Sequence, residues 1–250
     1  MSAVSAAAML MSSASAPSSL LTGLLGFWSF DGDSTDASGA GNNGTNTGVS
    51  YVAGKIGQGA TGTPGWNVNV GSSLALKPYN AISVAAWVRW VGFQANGRTL
   101  ADFHQSQSSD RWLFFEPSGD GDVEWLIANY PQGFVGGVGA PIGPYIETLC
   151  SFGVLVTGTW YSLIGTYDGR YLKTYTNGSL VNTADAGSAA FPNMLIAANA
   201  DITFGGQTAQ GPAGNSHNGV LDAVGIWDRA LTATEAALFH NGGTGRQYPF

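Results

Sequence analysis

The chain has 250 residues, 44% of them hydrophobic and only 10% charged, and its formal net charge is −7. That length suits one large all-β domain and does not demand two. The acidic balance, with no cluster of Lys or Arg, excludes nucleic acid as an expected partner, because phosphate neutralisation needs grouped cations.

The charged share is well under the roughly 25% of an ordinary soluble domain. Much of the surface is therefore Gly, Ser, Thr and Asn, or is covered by other subunits. The 37 glycines follow no collagen period, which fits tight turns between short strands. Cys150 stands alone, so no intrachain disulfide forms. Neither CxxC nor HExxH occurs, and a zinc site is not expected.

Residues 1–23 form a low-complexity arm of Ser, Ala and Met without a charged side chain. Serines break its apolar run and no basic residue precedes it, so it does not read as a secretory signal. It is too polar to cross a membrane, and no membrane insertion is expected. A Ser/Ala arm has little reason to order alone. The expectation is that it docks on its own domain or on a neighbouring subunit, with the domain proper occupying residues 24–250.

Residues 24–30 read as a first core strand, followed by a loop over 31–48 rich in Asp, Ser, Gly and Asn. Its oxygens suit Ca²⁺, although the spacing is not that of an EF-hand. Asp36 and Asn43 bonding turn amides is the competing reading. Residues 65–70 contain the alternating run WNVNV. A long strand follows over 81–90, with Trp87 on its buried face. Two strands, 98–103 and 111–116, flank a polar loop at 104–110.

Asp120, Asp122 and Glu124 recur at period 2, which puts carboxylates on one face of a strand. Ser118-Gly119-Asp120-Gly121 is hairpin chemistry and places Asp120 in a turn. Residues 130–150 are Gly/Pro-rich, apolar and long for a loop, and read as an insertion. Two occupations suit it. One is contact with a subunit or host surface through Phe134, Val135, Val138 and Ile142. The other is a lid over the domain's own core.

Strands follow at 160–168, 171–176 and 179–181, turned by Asp168-Gly169 and Asn177-Gly178. Two short strands, 194–198 and 201–204, precede a polar loop at 207–217. Residues 220–227 then read as a strand buried on both faces. Asp222 interrupts it, and a buried carboxylate needs a cation, a donor set or a metal. Thr232 and Glu235 have capping-box spacing, and Asn241-Gly242-Gly243 stops the short helix. Tyr248-Pro249-Phe250 is expected to pack the C-terminus back on the domain.

Several segments carry a family resemblance in the expected order. They are Gly26-Phe27-Trp28-Ser29-Phe30-Asp31-Gly32, Asp36-Ala37-Ser38-Gly39, Ser83-Val84-Ala85-Ala86-Trp87-Val88, Trp160-Tyr161, Tyr175-Thr176-Asn177-Gly178 and Asn218-Gly219-Val220-Leu221-Asp222-Ala223-Val224-Gly225-Ile226-Trp227. Together they resemble laminin-G-like, concanavalin A-like lectin/glucanase jelly-roll modules. The resemblance implies an all-β, two-sheet antiparallel jelly-roll sandwich with one short C-terminal helix. It also brings the first loop near the last strand, which adds Asp222 to Asp36 and Asn43 as a candidate Ca²⁺ set, with Asp31 in reserve. Similar glucanases carry paired acids at period 2, but their pattern opens with Glu where this chain has Asp120.

Fold does not settle function here. The first expectation is a non-catalytic structural or adhesion component of a virion, such as a bacteriophage capsid decoration or tail protein. It would assemble with other subunits through the arm, form a homo-oligomer and bind host-surface glycans. The alternative is a secreted or cell-surface, calcium-dependent carbohydrate-binding lectin domain, with aromatics such as Tyr130 and Tyr145 as platforms. A glycoside hydrolase using Asp122 and Glu124 is the remote third.

Overall fold

The computed structural model describes residues 19–76, 78, 80–93, 98–103, 111–116, 121–129, 146–187, 201–206 and 216–250. A 3₁₀ turn (Ser19–Leu21) leads into β1 (Leu24–Trp28), β2 (Thr45–Ala53) and β3 (Gln58–Gly71). Next come β4 (Ile82–Trp90), β5 (Arg98–Phe103), β6 (Arg111–Glu116), β7 (Asp122–Asn129) and β8 (Ile146–Val154). The chain then runs through β9 (Trp160–Tyr167), β10 (Tyr171–Thr176), β11 (Ser179–Asp185), β12 (Ile202–Phe204) and β13 (Gly219–Trp227) to the helix α1 (Ala233–His240).

Among the described residues the strands hydrogen-bond in the order β11-β10-β9-β4-β13-β3-β12-β5-β6-β7-β8, with β1 on β13 and β2 on β3. The ribbon folds over on itself, so that β7 and β8 lie across β9 and β10. Among the bonds that tie the layers are Trp125 Nε1 to Thr166 O at 3.2 Å, Thr174 Oγ1 to Ser151 O at 2.6 Å and Thr176 Oγ1 to Phe152 O at 2.8 Å. The expected antiparallel jelly-roll sandwich with one short C-terminal helix is the architecture found.

Strand alternation builds two apolar cores. On β4, Val84, Ala86, Val88 and Trp90 enter the core between the layers, while Ala85 and Trp87 enter a second core under α1. β13 serves both by an extra residue. Its pairing with β4 shifts between Asp222 and Gly225, and Ala223 takes a left-handed φ of 49°. Before the shift Leu221 faces the inter-layer core; after it, Val224 and Ile226 do. Ala223 and Trp227 join the second core, with Leu20, Phe27, Leu231, Ala236 and Phe239. Tyr248 stacks on Phe27 at 5.3 Å, so the C-terminus does fold back.

Local chemistry explains the turns. Asn177 and Gly178 both have positive φ, 52° and 76°, as a two-residue hairpin loop requires. Asp168 Oδ1 accepts from the amides of Arg170 and Tyr171 at 3.0 and 2.7 Å. Thr232 caps α1: its hydroxyl accepts from Glu235 N, and Glu235 Oε2 accepts from Thr232 N at 2.9 Å. Asn241 ends the helix in the left-handed region.

Three expectations need correction. Residues 45–48 are not loop but the start of β2, which pairs with β3 from Thr45↔Asn69 to Ala53↔Gln58. β2 is exposed along most of its length, so it lacks the apolar alternation that marks a strand. Residues 146–150 belong to β8 and not to the insertion, because their backbone pairs with β7. Residues 19–23 belong to the domain and not to the arm. Leu20 is fully buried, Trp227 Nε1 donates to its carbonyl at 2.7 Å, and Arg229 donates to the carbonyls of Ser19 and Thr22. The rest of the arm lies outside the described residues, as do the strand expected at 194–198 and most of the insertion. Among the described residues no helix is long and apolar enough to cross a membrane.

Candidate functional site

Asp36 is buried at 4% exposure in the loop after β1. Its Oδ1 accepts from Phe27 N, Ser38 N and Ser38 Oγ at 3.1, 3.0 and 2.6 Å. Its Oδ2 accepts from Asn42 N and Asn42 Nδ2 at 3.0 and 3.1 Å. Burial pushes this carboxyl up, but the Ser38 hydroxyl and the three amides outweigh it and hold it below the usual value. Asn43 Oδ1 accepts from Asp36 N at 2.9 Å. Both oxygens of Asp36 are thus ringed by hydrogen-bond donors, an arrangement that suits a turn and not a Ca²⁺ ligand.

Asp222 lies elsewhere. Its Oδ2 accepts from Lys55 N and Ile56 N at 2.6 and 2.7 Å, closing the turn between β2 and β3. Burial is the largest influence on it; the amides of Ile56, Lys55 and Ala223 pull the other way, Asp31 adds repulsion, and its pKa is pushed up to about 7. It borders a small cavity walled by Phe27, Asp31, Ile56, Arg246 and Tyr248. Asp31 Oδ1 in turn accepts from Gln58 N at 2.7 Å. So Asp36 and Asn43 come together in one loop, while Asp222 groups with Asp31. The three do not form the calcium set expected of them. Among the described residues no three His, Cys, Asp or Glu side chains converge on one point.

Other reactive side chains are committed to structure. Asp122 Oδ1 accepts from Ser151 Oγ at 2.6 Å. Ser162 Oγ lies 3.0 Å from His240 Nδ1, but Ser162 is 1% exposed and out of reach of a substrate. His240 stacks on Trp87 at 5.4 Å, and the Lys55 ammonium sits 4.9 Å over the same indole. Burial pushes the Cys150 thiol up, which keeps it protonated and inert. Trp87 is core, as its strand position predicts. Asp120, Tyr130, Phe134, Val135, Val138, Ile142 and Tyr145 lie outside the described residues.

A polar groove lies on the outer face of β2 and β3. Trp66, Val68 and Val70 point into the core, so Asn67 and Asn69 point out. Register puts Thr47 opposite Asn67 and Thr45 opposite Asn69. Asp201, just before β12, accepts from Asn69 Nδ2 at 2.8 Å. These side chains, with Asn43, Val70 and Gly71, line a concavity of ≈ 410 Å³. That size fits a small-ligand site. Asn67 is 6% exposed, and its Oδ1 has no hydrogen-bond partner. Sequence reasoning missed the groove. WNVNV was read for its apolar half, and the signal lay in the two asparagines between.

The sequence profile described as the concanavalin A-like lectin/glucanases superfamily, Laminin_G_3, matches residues 61–237. No curated protein matches the sequence. Among solved structures, domain 4 of AbnA, a GH43 extracellular arabinanase from Geobacillus stearothermophilus determined with arabinotriose, is 22% identical. It superposes with a TM-score of 0.60 over 89% of this chain and 98% of that one. The binding domain of Paraclostridial Mosquitocidal Protein 1 is 18% identical, with a TM-score of 0.65 over 90% of this chain and 53% of that one. The binding domain of botulinum neurotoxin DC, determined with SialylT, is 14% identical, with a TM-score of 0.60 over 92% and 53%. The chain thus spans about half of each toxin binding domain, and these likenesses speak to fold.

Proposed function

The chain belongs to the concanavalin A-like lectin/glucanases superfamily, and from that premise we propose that it is a non-catalytic carbohydrate-binding domain that works outside the cell. The observation that carries the reading is the groove on β2 and β3, walled by amides, hydroxyls and one carboxylate. Sugars present hydroxyls that donate and accept at once, and Asn, Thr and Asp side chains answer both. The extracellular arabinanase domain solved with arabinotriose supports the same reading. It favours the carbohydrate-binding domain over a virion component, for which the relatives named here offer no support.

Asp122 Oδ1 accepts from the Ser151 hydroxyl at 2.6 Å, which supports binding without hydrolysis. The test is a glycan array with the full chain. Retention of at least one oligosaccharide, with no sugar released over hours, is expected. A chain that retains none, or that cleaves what it binds, is not this kind of domain.

A further inference from the structure

Resting on the carbohydrate-binding reading, we propose that the groove takes an uncharged sugar and that Asn67 is its selecting residue. Among the described residues the lining holds no Lys, Arg or His. The one charged side chain among the described lining residues is the Asp201 carboxylate, and the protein as a whole carries −7. A sialic or uronic acid would meet repulsion there with no cation to offset it. A neutral sugar meets neutral donors and acceptors.

Asn67 supplies the discrimination. A buried amide oxygen without a partner carries an uncompensated desolvation cost, so a structural role does not account for it. Its neighbours do have partners: Asn69 donates to Asp201 through Nδ2 and accepts from Gly71 N through Oδ1. With no bond to surrender at Oδ1, the Asn67 amide can turn about its last torsion and present its oxygen to a ligand hydroxyl. Thr47, exposed and opposite it in register, is placed to bond a neighbouring hydroxyl. Among the described residues no aromatic ring lines the groove, so recognition by these residues runs on hydrogen bonds and not on stacking.

The experiment titrates the full chain by calorimetry against a neutral set that includes arabinotriose, and against 3′-sialyllactose. The wild type should bind a neutral member and not the sialylated probe. Asn67→Leu should weaken that binding roughly tenfold while Tm stays level or rises, because no native hydrogen bond is lost. A structural asparagine would instead lower Tm. Thr47→Val, at an exposed position, should weaken binding without touching the fold. If a neutral sugar binds but both variants match the wild type, or if the sialylated probe binds as tightly, the inference about the groove is overturned and the broader reading stands. If the wild type binds no sugar at all, the broader reading falls and takes this one with it.

Discussion

At the scale of single residues, two buried carboxylates pull stability in opposite directions with pH. Burial pushes Asp222 up to about 7 from an ordinary 3.8. Its folded form therefore keeps a proton that the unfolded chain has released, and stability falls as pH rises from about 4 to about 7. Burial also pushes Glu235 up, but the Arg229 fork and Thr232 outweigh it and bring it to about 2. Its contribution is present above about 4.5 and is lost as pH falls towards 2. Denaturant unfolding across this range should show both limbs, with Asp222→Asn flattening the upper and Glu235→Gln the lower. EDTA should leave Tm unchanged, because the oxygens of Asp36 already serve amides and a hydroxyl. A drop on chelation would show that a cation is held after all. Asp222 was legible as a carboxylate in need of partners. The identity of those partners, amides 166 and 167 residues away, was not, since no local pattern encodes a long-range turn.

At the scale of elements, α1 rests on its cap as well as on the face that buries Ala236 and Phe239. It spans eight residues, too short to persist alone. Thr232→Ala removes the hydroxyl that meets Glu235 N and should cost about 1 kcal/mol, read as a shift in the denaturant midpoint at constant slope. Arg229 grips both oxygens of Glu235 at 2.9 and 2.7 Å and also holds the carbonyls of Ser19 and Thr22. Arg229→Lys, which cannot make that fork, should therefore loosen helix and N-terminal turn together, visible as faster amide exchange in both. The capping box was readable from spacing alone because its physics is local. β2 was not, because a strand exposed along most of its length shows no apolar period. Its existence is dictated by the bonding needs of β3.

At the scale of the whole molecule, what was legible was whatever repeats along the chain: the strands and the Asn-Gly and Asp-Gly turns; the meeting of the first and last segments is implied only by the family resemblance. What was not legible is how the N-terminal turn completes the second core. Leu20 reads as part of a featureless Ser/Ala run, yet it is fully buried and its carbonyl receives Trp227. Leu20→Ala should cost about 2–5 kcal/mol, measured by thermal unfolding, although the residue looks dispensable in sequence. The extra residue in β13 has a wider consequence. It acts on side chains as a frameshift acts on codons: every position after Asp222 changes its sense of inside and outside. Straightening the bulge with Ala223 retained would turn Val224 and Ile226 away from the space between the layers and send Gly225 and Trp227 into it, whereas deleting Ala223 would leave their faces unchanged. Any chain that carries this same run of residues without the bulge must have exchanged its two faces from that point on.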